Sequence, residues 1–261
     1  MTTSASSSQT VGRAIQLLRL VASSRSRQLR LVDIAEMARL DKSTAHRLLQ
    51  RLVRERMLVR DPGQRGYRLG PLLYELGLGA LPDTNLREMS TPALHRLAQA
   101  TGDMAFLLVR SGFESVCVSR IAGNFDIQTL TRDVGDRHPL GVGAGGLAIL
   151  AALSDNESQI VLDAVAPQLP RYGHDRRGLQ DRVAATRKRG YALDEGNAAL
   201  DVTALGRAIR DRTGTPIGAV FVASISSRMA ADRLLQVDKH VALCVEAIEF
   251  GLTHPLKEKI G

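Results

Sequence analysis

"DKSTAHRLLQRL", running from Asp41 to Leu52, decides how the first quarter of the chain is read. On a helix turning about 100° per residue, Ala45, Leu48, Leu49 and Leu52 share one arc of roughly 100°, the width of a core-facing stripe. Ser43, Arg47, Gln50 and Arg54 lie opposite, Thr44 and His46 flank them, and Lys42 and Arg51 stand near the two ends. Asp41 suits the N-cap, where a carboxylate accepts from the free N–H groups of the first turn. The polar side differs in kind from a merely solvated face. Arginine pairs bidentately with guanine and glutamine with adenine, while serine and threonine bond bases or phosphates.

Upstream, "VGRAIQLLRLVAS" predicts a helix with an apolar stripe of Val11, Ile15, Leu18 and Val21, and with Ala14 and Leu17 beside it. "SSRSRQLR" reads as a loop. "LRLVDIAEMARL" then places Leu31, Ile34, Ala35 and Ala38 on one face, and a short break at "RLD" leads into the opening stretch. Two helices joined by a short turn, the second carrying base-edge readers, make a helix-turn-helix. Downstream, "MLVRDPGQRGYRLG" sets the extended runs Met57–Arg60 and Gly66–Leu69 around a Pro/Gly turn, a β-hairpin in the position of a wing. Arg65 near its tip, with Tyr67 and Arg68 on the return strand, is placed to grip phosphate or the minor groove.

Charge supports this reading. Residues 1–69 hold 14 Lys and Arg against 5 Asp and Glu, a net +9, whereas residues 70–261 hold 21 against 22, a net −1. A basic module on a neutral body implies a polyanion-binding head on a carrier with another task. Double-stranded DNA fits better than a single strand, because 3% aromatics and no Trp leave few stacking platforms.

The rest of the chain bounds the remaining choices. Residues 1–9 are polar, lack the apolar stretch of a secretory signal and read as a disordered tail. The head is expected over 10–70, and "PLLYELGLGAL" within 71–83 reads as a linker helix. The body, 84–261, mixes hairpins and helices without a βαβ repeat. "LREMSTPALHRLAQAT" is helical, with Leu86, Met89, Leu94 and Leu97 inward. "MAFLLVR" and "ESVCVSRI" form a hairpin, "FDIQTLT" a third strand, and "ALGRAIRDRTGTPIGAVFVASI" two more strands before a long last helix. That order predicts an α+β domain on an antiparallel sheet. No run of about 18 apolar residues predicts a membrane span. Cys117 and Cys244 are two thiols without disulfide or zinc spacing, so a reduced, cytoplasmic protein is expected.

Four segments together resemble the IclR-type family of bacterial transcriptional regulators: "DKSTAHRLLQRL", "GYRLGPLLYELG", "VGDRHPLGVGAGGLAILAAL" and "RGYALDEGNAALDVTALGRAIRDRTGTPIGAVFVAS". The resemblance runs from about Val11 to the last helix. It implies a winged helix-turn-helix, a linker helix and a GAF-like C-terminal domain that binds an effector and oligomerises. It further implies operator DNA, self-association as dimers or tetramers, and a small organic effector, often carboxylic or aromatic. Neither a cofactor, a metal nor catalysis is implied. By resemblance the effector site falls on Ala144, Gly145, Asp194, Val202, Ala204, Phe221 and Ala223. The chain departs from the family pattern with Ala204, Phe221 and Ala223 where keto-acid binders show hydroxyl or thiol side chains. It also has Gly196 and Asn197 at usual glutamates, Asp201 at a usual glycine and Ala208 at a usual proline. A larger or more apolar ligand is expected.

A rival reading lies in Gly141, Gly143 and Gly146, which spell G-x-G-x-x-G before a helix, as in a dinucleotide-binding enzyme with a basic N-terminal module. Its context is wrong: "GDRHPL" is not an apolar strand, Pro139 sits where a central strand should end, and no acidic residue closes a second strand. No H-E-x-x-H or G-x-S-x-G occurs, and His138 reads as a loop residue.

Overall fold

The computed structural model describes residues 3–24, 29–60, 66–80, 86–125, 132–196 and 201–254. They divide into two compact units, Met1–Asp83 and Thr84–Gly261.

The first unit runs α1 (Thr3–Ser23), β1 (Leu29–Arg30), α2 (Leu31–Ala38), α3 (Lys42–Arg54), β2 (Leu58–Arg60), β3 (Gly66–Leu69) and α4 (Pro71–Ala80). Leu17, Val21, Ile34, Ala38, Leu49, Leu52, Leu58 and Tyr67 share one core. The α2–α3 turn is short because Arg39 adopts a left-handed conformation (φ 53°) and Leu40 N–H closes onto Ala35 C=O at 2.9 Å. Asp41 then caps α3. β2 and β3 pair antiparallel, Leu58 opposite Leu69 and Arg60 opposite Tyr67.

Three expectations change here. The polar start does not break off as a tail: helix α1 begins at Thr3. A helix anchored by packing extends at only a small cost per residue, and no Gly or Pro interrupts residues 3–11. The buried stripe of α1 is Ala14, Leu17, Leu18 and Val21, whereas Val11 and Ile15 are 60% and 44% exposed. α1 is apolar over more than half its girth, and contact with α2, α3 and β3 chose the face. Leu29 and Arg30, read as loop, form a strand against Tyr67 and Gly66, so the wing sheet has three strands in the order β1-β3-β2. Two residues are too few to show a period.

The second unit is a six-stranded sheet with helices on both faces. Its elements are α5 (Leu86–Thr101), β4 (Met104–Ser111), β5 (Glu114–Ile121), β6 (Arg137–Pro139), α6 (Gly143–Ala152), α7 (Asp155–Val165), α8 (Arg176–Arg189), β7 (Ala192–Glu195), β8 (Val202–Arg210), β9 (Pro216–Ile225) and α9 (Ala231–Thr253). A 3₁₀ turn, Ala166–Tyr172, links α7 to α8. The strand order is β6-β5-β4-β9-β8-β7, and every pair among the described residues is antiparallel. Phe106 and Leu108 of β4 face the core under α6, α7 and α8, and Ala105 and Leu107 face the core under α5 and α9. Burial on both sides explains why "MAFLLVR" is apolar throughout instead of alternating. β6 and β7 are short edge strands missing from the sequence reading. His138 therefore lies in a strand, with Pro139 at an edge, the position a sheet tolerates. The third strand expected at "FDIQTLT" covers 125–131, of which 126–131 lie outside the described residues.

Candidate functional site

The head presents the polar side of α3. Asp41 Oδ1 accepts from Thr44 N–H at 2.8 Å and from the Ser43 hydroxyl at 2.6 Å. These two donors hold the Asp41 carboxyl well below the usual carboxylate range, with Ser43 the larger cause. Ala45, Leu49 and Leu52 are buried. Lys42, Ser43, His46, Arg47, Arg51 and Arg54 are exposed, and Thr44 and Gln50 half-buried. Gln50 Nε2 reaches His46 Nε2 at 3.5 Å, the outer limit of a hydrogen bond. Arg51 is drawn into a pair with Glu55 at 2.7 Å. Lys42, Arg47 and Arg54 make no ion pair among the described residues. This leaves an uncommitted cationic strip along the helix.

On the wing, Arg68 is exposed but Tyr67 is not. Tyr67 is 3% exposed and packs in the head's core, so its assignment as a DNA contact is corrected. Its strand is paired on both sides, by β1 and β2, and alternation turns Tyr67 inward and Arg68 outward. Arg65 lies outside the described residues. Gly70, at the exit of the wing, is forced by space: a Cβ there would sit 2.1 Å from the Arg56 carbonyl oxygen.

In the second unit the register brings scattered residues together. Asp194, Ala204, Ala223 and Met104 stand side by side across β7, β8, β9 and β4. The next row on that face runs Ala192, Gly206, Phe221 and Phe106. Partners in register share a face, so five sequence-predicted positions, with Val202 two residues before Ala204, lie on one surface under α6. Phe221 stacks on Phe106, the ring centroids 4.5 Å apart and 4° from parallel. A Cβ on Gly145 would lie 2.5 Å from Leu108 Cδ1 and 2.9 Å from Phe221 Cδ1. Only glycine lets the first turn of α6 sit this close to the pair. Ala144, beside it, is buried.

The polar side chains around this face were mostly missed in the sequence. Asp194 accepts from Arg182 Nη2 at 2.8 Å, and Arg182 Nη1 lies 3.1 Å from His174 Nε2. Burial, then the Arg182 charge, lowers the His174 pKa. Arg132, Ser115 and His138 gather at the β5–β6 edge. No spacing rule connects residues so far apart in the chain. A cavity of about 450 Å³ opens elsewhere, where β8 runs past the end of β7, lined among others by Tyr191, Arg207 and Glu246. None of the predicted effector residues lines it.

The glycine-rich turn does not behave as a dinucleotide cradle. Gly141 (φ +94°) packs against Leu179 and Leu150, and Gly146 against Gly141 and Ser115. The strand before it, β6, is an antiparallel edge strand, whereas the dinucleotide fingerprint needs a parallel βαβ unit. Among the described residues, no helix is long and apolar enough to cross a membrane.

Comparison with known proteins accords with this geometry. The family model described as the IclR helix-turn-helix domain matches residues 10–62. The one described as the bacterial transcriptional regulator IclR C-terminal matches residues 78–250. The HTH-type transcriptional regulator XynR of Escherichia coli is 27% identical over 249 residues, covering 95% of this chain and 98% of its own. An IclR transcriptional regulator from Alicyclobacillus acidocaldarius superposes with a TM-score of 0.75 at 23% identity, over 93% of this chain and 98% of its own. An IclR homolog of Microbacterium hydrocarbonoxydans, complexed with 4-hydroxybenzoate, gives 0.73 at 23% identity, over 94% and 99%. With an IclR-type helix-turn-helix ahead of an IclR-type sheet domain, the chain belongs to the IclR family of bacterial transcriptional regulators.

Proposed function

We propose that α3 enters the major groove of operator DNA and reads it with Arg47 and Gln50, while Lys42, Ser43, Thr44, His46, Arg51, Arg54 and Arg68 position it on the backbone. The observation that carries this is the face of α3: a narrow buried arc opposite an exposed strip whose Lys42, Arg47 and Arg54 make no ion pair among the described residues. Such cations are available to phosphate and guanine. The chain acts as a homo-oligomer in the cytoplasm. Two copies place two reading helices in successive grooves of a pseudo-palindrome. Catalysis has no part in this reading.

The signal is a small organic molecule bound on the sheet face below the first turn of α6, at Ala144, Gly145, Asp194, Val202, Ala204 and Ala223, with the Phe106–Phe221 pair as its aromatic neighbour. That a relative of the same fold is complexed with 4-hydroxybenzoate supports an aromatic or carboxylic ligand. Binding there changes the operator affinity by a coupling free energy between the two sites.

A gel shift with the DNA upstream of the chain's own coding region tests the reading. A salt-sensitive, sequence-specific shift lost in an Arg47→Ala/Gln50→Ala variant is expected. A wild type without a specific shift, or a variant that shifts the same site equally well, overturns it.

A further inference from the structure

Strand β8 outruns its outer neighbour. β7 pairs with it only as far as Ala192 opposite Gly206, whereas β9 stays alongside to Arg210. Successive residues of an antiparallel strand turn their N–H and C=O groups to alternate neighbours. Asp201 C=O accepts from Ser226 N–H on the β9 side, and Val202 C=O accepts from Gly196 N–H on the β7 side. That phase turns the N–H and C=O of Ala208 away from β9, beyond the end of β7. Two residues on, Glu249 of α9 reaches across and accepts from Arg210 N–H at 2.7 Å. Ala208 has no such neighbour: among the described residues neither its N–H nor its C=O meets a hydrogen-bonding partner.

The cavity of about 450 Å³ opens on this bare edge. It falls within the range of about 300–1,000 Å³ that holds small ligands. Ala148, Ala151 and Ala152 of α6 and Ala242 of α9 add only methyl groups to its lining. Thr186 of α8, also in the lining, is 4% exposed, and its hydroxyl makes no hydrogen bond. A buried hydroxyl left unpaired is costly, and a ligand in the cavity can supply its partner.

Charges of both signs complete the lining. Arg187 is spent on Asp155 and on the carbonyls of Ala151 and Leu153, and Arg210 on the carbonyls of Ala152 and Gly214. Arg207 gives Nε and Nη2 to Asp238, which leaves its Nη1 without a hydrogen bond among the described residues. Glu246 makes no hydrogen bond and no ion pair within 4 Å among them, although its charge acts on Arg207.

We propose that this cleft is a second small-molecule site and that it takes a free α-amino acid with an apolar side chain. The ligand's carboxylate accepts from Ala208 N–H and its ammonium donates to Ala208 C=O, the two-point pairing that a neighbouring strand residue makes. Arg207 supplies a further donor to the carboxylate and Glu246 a counter-charge to the ammonium, so each end of the zwitterion meets its opposite. The side chain takes the space that the alanines leave. A peptide strand would form the same two backbone bonds but would leave Arg207 and Glu246 unmatched. The inference does not rest on the effector assignment, because none of those residues lines the cleft.

Calorimetric titration of the full-length protein with L-alanine, L-valine, L-leucine, L-methionine and L-phenylalanine tests this. At least one is expected to bind one per chain, with its N-acetyl derivative and its amide each at least about ten-fold weaker. Ala208→Pro removes the N–H without taking a ladder bond from β9, and proline is tolerated at a sheet edge. It should weaken that amino acid at least about ten-fold. Glu246→Gln, at an exposed position of α9, should weaken it several-fold and leave the N-acetyl derivative unchanged, a split that a purely structural role does not produce. It carries the test if Ala208→Pro fails to fold. The proposal is overturned if none of the five binds the wild type. It is equally overturned if the acetylated and amidated forms bind as tightly as the amino acid, the result expected of a peptide site. Binding that both variants leave as in the wild type places the ligand elsewhere and overturns it too.

Discussion

The polar face of α3 and the sheet face under α6 are built in opposite ways. On α3 every candidate side chain comes from 13 consecutive residues, and one helical period sorts them into a buried arc and an exposed strip. Under α6, Asp194, Ala204, Ala223 and Met104 come from four strands and meet only through register. The first site is cheap to rewrite, because an exposed arginine on a rigid helix changes without disturbing the core. The second is embedded in packing: Gly145, Phe106 and Phe221 interlock, and a change there alters stability as well as binding.

That contrast can be attacked, beginning with the largest effect. Replacing both Arg47 and Gln50 with Ala removes the two side chains proposed to read bases, groups that are worth about 1–3 kcal/mol each in such a role. Specific operator affinity should fall on the order of 10²-fold or more in a titrated gel shift, while the urea midpoint of unfolding stays put. Phe221→Ala should do the opposite. Truncating a buried, stacked Phe costs about 3–5 kcal/mol, read as a lower urea midpoint, with operator affinity retained at temperatures where the protein remains folded. Gly145→Val drives a Cβ to within 2.5 Å of Leu108 and should cost about 1–3 kcal/mol by overpacking. Effector binding is lost with it if the close approach of α6 forms the site. Arg68→Ala is smaller: binding weakens alike for specific and random DNA, and the slope of log affinity against log salt falls by about 1.

The smallest effect is a pH dependence in the head. The folded-state pKa of Asp41 lies below its ordinary value near 3.8, because Ser43 and Thr44 donate to the ionised form. A group so depressed contributes stability that is fully present above the unfolded value and is lost as the pH falls through the folded one. The difference in thermal midpoint between wild type and Asp41→Ala should therefore be the same at pH 7 and pH 5.5. It should shrink only below about pH 4. A difference that already shrinks between pH 7 and 5.5 would mean that another group caps α3.

The legible parts of the sequence were those with a short period or a local rule. The α3 arc, the Asp41 cap and the wing strands all follow from neighbours a few residues apart. Where two local answers compete, the sequence is silent. α1 carries apolar residues over enough of its girth that Val11 and Leu17 look equally good, and only the positions of α2, α3 and β3 decide that Leu17 goes inside. Tyr67 has the chemistry of a DNA contact, but a strand paired on both sides turned its ring into the core. β1, β6 and β7 are four residues or shorter, below the length at which alternation can be seen.

By itself the amino-acid sequence determined that a basic head reads nucleic acid and that a neutral α+β body follows, because charge and helical period are properties of the chain taken a few residues at a time. Tertiary structure alone decided that Arg132 ends up buried against the Ser115 hydroxyl and the Val142 carbonyl, that His138 stands opposite Ser115, and that Phe221 lies flat on Phe106 beneath Gly145. Those facts depend on which strand lies next to which and in what register. That is fixed by the summed packing of two cores, and no segment carries it alone.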